Sequence, residues 1–353
     1  MKKTIFTLAV VALLAGVCSC TKEKEGVYNP KQKIQSVYLE IMGYQDGSLV
    51  MQEPKFKSEV WTWNDNRLER ISYYEQYTYY TNESEDSVIT ERELAYTQLF
   101  TYDKNDRLTL CETLGEMNLM TTYTYDGNYL ETLTISEGDI PMYSYRFNRT
   151  DKKVTSINVA VNSELIGKSA CNAKASRQLA RTNPLRFVMA PEMASRTMAA
   201  TQECTKRLAK KGCTKDNITF TLTVEWDGDN ISKFSGSVLG ESMTMAFKYD
   251  NKNNPYYGLF DIVNAFNESV IPFLPMSQHN ITNITMTYTE DGEAETESED
   301  YTYTYNGKDF PTSKTIDQII PNYDWVYDEE TGDYEMVELG DYRYVQTQYY
   351  EYQ

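Results

Sequence analysis

The chain has 353 residues, with 52 acidic and 34 basic side chains and a formal net charge of -18. This length is ample for a sizeable core, and large all-β units of this size often form one domain. A polyanion repels phosphate backbones, so the charge argues against a nucleic-acid partner. Thirty tyrosines and a low mean hydropathy predict strands that keep one face in water.

The N-terminus is a targeting segment. Lys2 and Lys3 precede an apolar stretch, 5–17, that is too short for a permanent transmembrane helix. It ends in Val17-Cys18-Ser19-Cys20, which resembles a bacterial lipobox with Ser19 as the small residue before a lipidated cysteine. Cleavage before Cys20 is favoured because cleavage before Cys18 would place bulky Val17 at the cleavage position.

This segment predicts a lipoprotein signal peptide over 1–19, lipidation at Cys20 and a polar tether over 20–30. An ordinary secretory peptide with incidental cysteines is the alternative. The rest of the chain, 31–353, is predicted to be a single β domain.

A short motif recurs along this domain: an aromatic residue, any residue, a second aromatic, Asp or Asn, a turn, then an aliphatic residue. Its copies begin at Trp61, Phe100, Tyr123, Tyr145, Val224, Phe247 and Tyr303, with Val224 in place of the first aromatic. The turns, such as Asp126-Gly127-Asn128, contain residues that tolerate positive φ. Each copy therefore predicts a strand that enters a hairpin.

The repeat also predicts that the two ends of the sheet differ. If every motif turn joins an upward strand to a downward one, all motif turns lie at one end of the sheet. The variable return segments, 81–87, 162–216, 251–279 and 290–300, then lie at the opposite end, where binding is usually placed.

Several segments alternate with period two, which is typical of half-buried strands. The clearest are Leu119–Tyr125, Ile218–Trp226, Met243–Tyr249 and Tyr301–Tyr305. One face is aromatic and aliphatic, and the other carries Thr, Glu and Lys. A membrane-spanning barrel needs an apolar outer face, so this alternation argues against one.

Tyrosines crowd one segment at 73–80 and must occupy both of its faces. Tyrosine rings stack on sugars and anchor protein partners, so Tyr74, Tyr77, Tyr79 and Tyr80 form a candidate binding surface. Cross-strand pairing that stabilises a wet sheet face is the alternative.

Two stretches depart from the strand pattern. Residues 163–215 hold eleven basic and three acidic side chains, a net of +8, and predict a mobile insertion over 162–216 that rests on the acidic body or grips an acidic partner. Leu259, Phe260, Ile262, Val263 and Phe266 fall on one helical face, which predicts a short helix over 258–266 that covers the apolar side of the sheet.

The sequence offers no metal, cofactor or catalytic set. After export and lipidation, Cys111, Cys171, Cys204 and Cys213 remain, and Cys204 with Cys213 is the nearest candidate disulfide, with unpaired loop cysteines as the alternative. The single histidine, His279, lacks a partner in sequence and is interpreted as a solvated turn residue.

The Tyr-Asp-x-x-x-Arg-Leu pattern, clearest over Phe100–Leu108, resembles YD (RHS-type) repeats. With the lipobox and the phrase Tyr249-Asp250-Asn251-Lys252-Asn253-Asn254-Pro255-Tyr256, the chain is similar to a Bacteroidetes lipoprotein family of unknown function with a porin-like fold. The resemblance implies that architecture and an envelope location, and no catalytic residues.

We therefore expect an all-β protein built as a large antiparallel meander, strongly curved or barrel-like, with one short covering helix. We expect a monomer held to the outer membrane by its lipid, on the periplasmic face or the cell surface. The leading functional hypothesis is a non-catalytic module that binds a glycan or a protein. The alternative is a half-barrel that carries a lipid or another hydrophobe.

Overall fold

The computed structural model describes residues 24–80, 88–115, 118–162, 218–238, 241–259, 276–290, 293–327 and 334–353. These residues form sixteen strands: β1 Ile34–Gln45, β2 Ser48–Asn64, β3 Arg67–Tyr80, β4 Val88–Tyr102, β5 Leu108–Leu114, β6 Leu119–Asp126, β7 Tyr129–Glu137, β8 Ile140–Thr150, β9 Lys153–Val161, β10 Ile218–Asp227, β11 Asn230–Val238, β12 Glu241–Asn253, β13 His279–Glu290, β14 Glu293–Tyr305, β15 Pro311–Tyr327 and β16 Tyr334–Tyr352.

The strands follow one another as an antiparallel meander that closes on itself. Each pairs with its neighbours in sequence, and β16 pairs with β1 from Ile34↔Tyr352 to Gln45↔Tyr342. The expected barrel-like meander is confirmed. Nearly all of the insertion 162–216 and of the predicted helix 258–266 lies outside the described residues. Among the described residues, no helix is long and apolar enough to cross a membrane.

Period-two alternation explains why these segments are strands with an inside and an outside. In β10, Leu222 and Val224 are buried, while Thr221 and Glu225 are exposed. The outer wall is lined by hydroxyls that bond across strands, as between Thr124 and Thr132 at 2.6 Å and between Thr304 and Thr312 at 2.7 Å. The barrel therefore presents a polar outer face along these strands.

All motif turns lie at one end of the barrel, as predicted, and we call it the motif end. The chain reverses there with left-handed residues at Asp65, Asp106, Gly127, Asp151, Gly228 and Asp309. Asp and Gly suit these positions because a short polar side chain, or none, tolerates positive φ.

One side chain of each motif copy ties neighbouring strands together. In six of the eight copies it is the second aromatic, and its hydroxyl or indole N–H donates to the carbonyl of a buried residue at or near the start of the preceding strand; all eight bonds are 2.6–2.8 Å long. The eight bonds run from Trp63 to Ile34, Tyr102 to Leu68, Tyr125 to Leu108, Arg149 to Leu130, Trp226 to Val154, Tyr249 to Ile231, Tyr303 to Ile281 and Tyr352 to Pro311.

We call these bonds the clamps. They show that the barrel is an eightfold repeat of hairpins, although only seven motif copies were recognised. The eighth is Tyr350-Glu351-Tyr352-Gln353 at the C-terminus. In two copies the donor is another residue: in the copy at Tyr145 the second aromatic, Phe147, has no polar group and the Arg149 guanidinium two positions later donates, and in the copy at Tyr303 the donor is Tyr303 itself and not Tyr305.

The core lies inside the barrel towards the motif end. The first aromatics of the motifs, including Trp61, Phe100 and Tyr123, pack against the buried aliphatics that open the odd-numbered strands in one continuous cluster. Near the motif end, the described interior of the barrel is therefore filled by side chains.

Candidate functional site: the ribbon end of the barrel

The motif end is closed by the chain's own N-terminal segment. The Glu25 N–H donates to the Asn128 carbonyl at 2.9 Å, and the Leu108 N–H donates to the Gly26 carbonyl at 2.9 Å. Tyr28 is buried, and its hydroxyl donates to the Pro255 carbonyl at 2.7 Å. Residues 25–28 therefore belong to the barrel.

A carboxylate fixes this segment. Glu25 Oε2 accepts from the Leu130 N–H at 2.7 Å and from Arg149 Nη2 at 2.5 Å. The side chains of Glu25 and Arg149 are mostly buried, with exposed fractions of 21% and 11%, respectively. Since Arg149 is also a clamp donor, one guanidinium joins the N-terminal segment to the barrel wall.

The loop after β12 completes the closure. The Tyr256 ring enters the interior, with its centroid 6.0 Å from that of Trp61 and 6.3 Å from that of Tyr350. Asn254 holds the loop because its amide donates to the Ser277 carbonyl at 2.9 Å. The Asn-Pro-Tyr phrase is thus a structural cap of the motif end.

At the opposite end the sheet divides. Pairing between β2 and β3 extends only to Glu59↔Tyr73, between β4 and β5 to Thr97↔Leu114, and between β14 and β15 to Tyr301↔Ile316. Beyond these pairs the strands continue as separate ribbons. The β3–β4 ribbon runs to Tyr80↔Val88, the β13–β14 ribbon to Glu290↔Glu293 and the β15–β16 ribbon to Tyr327↔Tyr334.

We call this the ribbon end. The prediction that 81–87 and 162–216 connect strands at the end opposite the motif turns agrees with this topology, since the strands on either side of each segment end there. Two expectations need correction. Most of the acidic run 290–300 is strand, within β13 and β14, because its residues pair across a tight hairpin. Segment 251–279 connects β12 to β13 at the motif end, not at the end of the return loops.

Buried polar side chains lie where the strands part. We call them the polar floor, and they are Glu59, Gln98, Glu299, Lys314, Gln346 and Gln348, each less than 10% exposed. Aromatic groups bond to them: Tyr73 donates to Gln98 at 2.9 Å, Tyr344 to Gln346 at 2.8 Å and Tyr350 to Gln348 at 3.1 Å. The interior thus changes from apolar to polar towards the ribbon end.

Glu59 is a carboxylate of the floor that bonds directly to the aromatic core, through Trp61. Burial raises the pKa of its carboxyl to about 7, and the hydrogen bond from the Trp61 indole, at 2.7 Å, opposes that shift. A buried carboxyl that titrates near neutrality is a feature of many functional sites, and also of structural networks.

Lys314 and Glu299 form an oppositely charged buried pair. Burial lowers the pKa of Lys314, and the negative charge of Glu299 opposes that effect. The ammonium lies 4.1 Å from the ring centroid of Tyr301, and Gln318 donates to Glu299 at 2.9 Å. Burying two charged groups is costly unless they pair with each other and with neighbours, and Gln318 and the Tyr301 ring are such neighbours here.

The outer surface is also distinctive at this end. Among the described side chains, six of the seven exposed large apolar ones lie in the ribbon half, and Tyr257 is the one at the motif end. The six are Leu49, Val50, Leu94, Leu114, Ile140 and Ile319. Leu94 and Ile319 are 56% and 66% exposed and lie on ribbons beyond the last barrel pairs.

The predicted tyrosine surface lies on the β3–β4 ribbon. Tyr74 is half-buried, pairs with Leu94, and has the Arg92 guanidinium 3.6 Å from its ring centroid. One ring face is therefore already occupied by a cation. The backbone of Tyr77, Tyr79 and Tyr80 continues the ribbon, but their side chains lie outside the described part.

The other predicted positions are placed as follows. His279 is the first residue of β13 and is half-buried; its N–H donates to Asn230 Oδ1 at 3.0 Å and its Nδ1 lies 2.9 Å from Asn230 Nδ2, so it is a strand residue with a side-chain partner and not a solvated turn residue. Cys111 is fully buried in the core. Cys20 and the Cys204–Cys213 pair lie outside the described residues. No cluster of three or more potential metal ligands occurs among the described residues.

Most of the polar floor has no clear signal in the sequence. One pattern could have found part of it: Glu59 and Glu299 each lie two positions before an inward-facing aromatic, Trp61 and Tyr301, and so share its face. Lys314 could be placed only through its pairing with Tyr303 across β14 and β15.

Comparison with known proteins gives similarity of fold alone. No protein-family model matches the chain, and no curated protein does. A porin-like protein from Bacteroides uniformis is similar at 11% identity and a TM-score of 0.43, over 91% of this chain and 98% of that one. A porin-like protein from Bacteroides vulgatus is similar at 9% identity and a TM-score of 0.29, over 92% and 99%.

Proposed function

We propose that this chain is an outer-membrane lipoprotein, anchored through Cys20, that binds a glycan or a protein at its ribbon end and catalyses no reaction. The observation that carries the proposal is the asymmetry of the barrel. The motif end is filled by residues 25–28 and Tyr256, whereas at the other end the strands part and expose apolar side chains. Exposed apolar groups rimmed by polar ones favour an interaction site.

The polar outer wall supports the anchor. Strands whose outward side chains are Thr, Glu and Lys favour a body in water, and such a body needs a lipid to stay at a membrane. The protein then faces either the periplasm or the cell exterior.

Two alternatives have less support. A hydrophobe carrier needs apolar space inside the barrel, and the described apolar interior is a packed side-chain cluster that includes Tyr256. An enzyme would need its ionisable groups within reach of a substrate, and Glu59 and Lys314 are 5% and 6% exposed.

The test is direct binding by a soluble 21–353 protein to a panel of glycans and secreted proteins. We expect at least one ligand in the panel to bind, and the double variant Tyr74→Ala, Leu94→Ser to lose about tenfold or more in affinity. The matched control is Tyr257→Ala, which removes the exposed apolar side chain of the motif end and should leave affinity unchanged.

Native mass spectrometry of the same protein purified from its own cell envelope decides against the carrier. We expect the bare protein mass. A stoichiometric co-purified lipid, or equal loss of affinity in both variants, would contradict the proposal.

A further inference from the structure

The placement of the N-terminal segment has a consequence for how the molecule sits on a membrane. We infer that the motif end lies against the lipid headgroups and that the ribbon end points away from them. This inference rests on the proposed lipidation of Cys20, and it adds an orientation to the anchor.

The tether is too short to let the barrel turn over. Four residues, 21–24, separate Cys20 from Glu25. A fully extended chain advances at most about 3.6 Å per residue, so the Cα atoms of Cys20 and Glu25 lie no more than about 18 Å apart. Glu25 is not free to lengthen this reach, because Arg149, Leu130 and Asn128 hold it.

The far side of the barrel is beyond that reach. β7 has nine residues and rises about 30 Å along its own axis, or about 25 Å along the barrel axis once strand tilt is allowed for. A lipid on Cys20 can therefore hold the motif end at the headgroups, but it cannot bring the ribbon tips to the same surface.

The two ends also differ in net charge, and the difference favours the same orientation as the short tether. The segments at the motif end, 24–33, 65–67, 103–107, 126–129, 151–153, 227–230, 250–258 and 306–309, hold ten basic and ten acidic residues, so ten minus ten gives a net charge of zero. The ribbon segments with their connections, 74–96, 285–300 and 317–343, and the insertion 162–216 at the same end together hold thirteen basic and twenty-six acidic residues, so thirteen minus twenty-six gives -13.

An anionic leaflet repels the second end and tolerates the first. The negative surface potential acts within about one Debye length, roughly 8 Å at physiological salt, so it discriminates between the end that touches the headgroups and the end that does not. Lys24 and Lys31 are both exposed beside the tether, where they meet the headgroups first.

One exposed aromatic fits this orientation. Tyr257 is 41% exposed and lies in the loop that caps the motif end. Tyrosine is enriched at membrane interfaces because its ring is apolar and its hydroxyl stays wet. The motif end thus offers a neutral surface with an interfacial aromatic, and the acidic ribbons remain in water to meet a ligand.

The experiment measures depth at each end of the anchored full-length chain. Fluorophores are placed at Lys104→Cys, in an exposed motif turn, or at Asp139→Cys, in an exposed hairpin at the ribbon end. Both are made in a Cys171→Ser, Cys204→Ser, Cys213→Ser background, and the lipidated proteins are reconstituted in vesicles with a headgroup-linked nitroxide lipid.

We expect the label at 104 to be quenched at least threefold more than the label at 139. A flexible 20-residue Gly/Ser insertion after Thr21 should reduce this difference while the protein stays on the vesicles, because only charge and Tyr257 then favour the motif end. Equal quenching without the insertion, or stronger quenching at 139, would overturn the inference, and a difference that the insertion leaves unchanged would overturn the role of the short tether.

The failure of the anchor itself has a different signature. Cys20→Ala should leave the protein in solution. If the full-length chain with Cys20 also fails to associate with vesicles, the proposed lipoprotein is wrong, whereas a vesicle-bound protein with equal quenching contradicts only the orientation.

Discussion

Glu59 shows how a single buried carboxyl couples this fold to pH. The ordinary pKa of the group is 4.5 in the unfolded chain and about 7 in the barrel, so the folded state holds its proton more tightly. The contribution of the Glu59 carboxyl to the free energy of unfolding is therefore complete below pH 4.5 and is lost as pH rises through 7. At about 1.4 kcal/mol per pKa unit, the loss is on the order of 3 kcal/mol.

Glu59→Gln replaces the titratable carboxyl with an amide, and it keeps an oxygen that can accept from the Trp61 indole. We expect wild-type stability, relative to the variant, to fall by about 2–3 kcal/mol between pH 5 and pH 8. Urea unfolding of both proteins at the two pH values measures the difference. Parallel stabilities at both pH values would show that Glu59 does not titrate in this range.

At the scale of the element, the clamp explains why the motif needs its second aromatic. A ring alone would fill the core, but the hydroxyl also accounts for a carbonyl at the start of the preceding strand. Tyr102 does this for Leu68 at 2.7 Å. Eight such bonds around the barrel lock the strand ends where the motif turns would otherwise fray.

Tyr102→Phe keeps the ring and deletes the clamp hydroxyl. We expect a loss of about 1–2 kcal/mol, since a buried carbonyl loses a donor. Tyr129→Phe is the matched control, because Tyr129 contacts Arg149 through its ring face, 5.4 Å from the guanidinium carbon. Chemical denaturation of the three proteins decides the matter, and equal losses in both variants would show that the clamp adds nothing specific.

The elements also show what a sequence can and cannot predict in this fold. Alternation in Ile218–Trp226 and the turn Asp126-Gly127-Asn128 are local, so strand, face and hairpin could all be predicted there. Closure of the barrel could not be predicted, because the pairing of Ile34 with Tyr352 joins residues that are far apart in the sequence. The eighth motif copy is harder to recognise in the sequence because Tyr352 is followed by Gln353 and not by Asp or Asn.

The candidate site was harder to predict than the fold. Glu299 belongs to an acidic run that looks like a loop in sequence, and only its pairing with Ile284 turns its side chain towards Lys314. The position of the tyrosine segment was predicted, yet the guanidinium of Arg92 over Tyr74 depends on a hairpin register that composition does not encode.

At the scale of the whole molecule, the barrel has two unlike ends. One is plugged by the N-terminal segment and is electrically neutral, and the other divides into acidic ribbons above a buried polar floor. This asymmetry of shape, charge and exposed apolar surface supports the proposed anchoring at the first end and the proposed binding at the second.

Hydrogen–deuterium exchange of the soluble 21–353 protein, with and without the tightest ligand from the binding panel, tests whether binding takes place at the ribbon end. We predict that the ligand slows exchange in the ribbon segments 74–80, 88–96 and 317–327 and leaves the motif turns at 64–67, 103–107 and 126–129 unchanged. Protection confined to the motif turns would contradict the assignment of binding to the ribbon end.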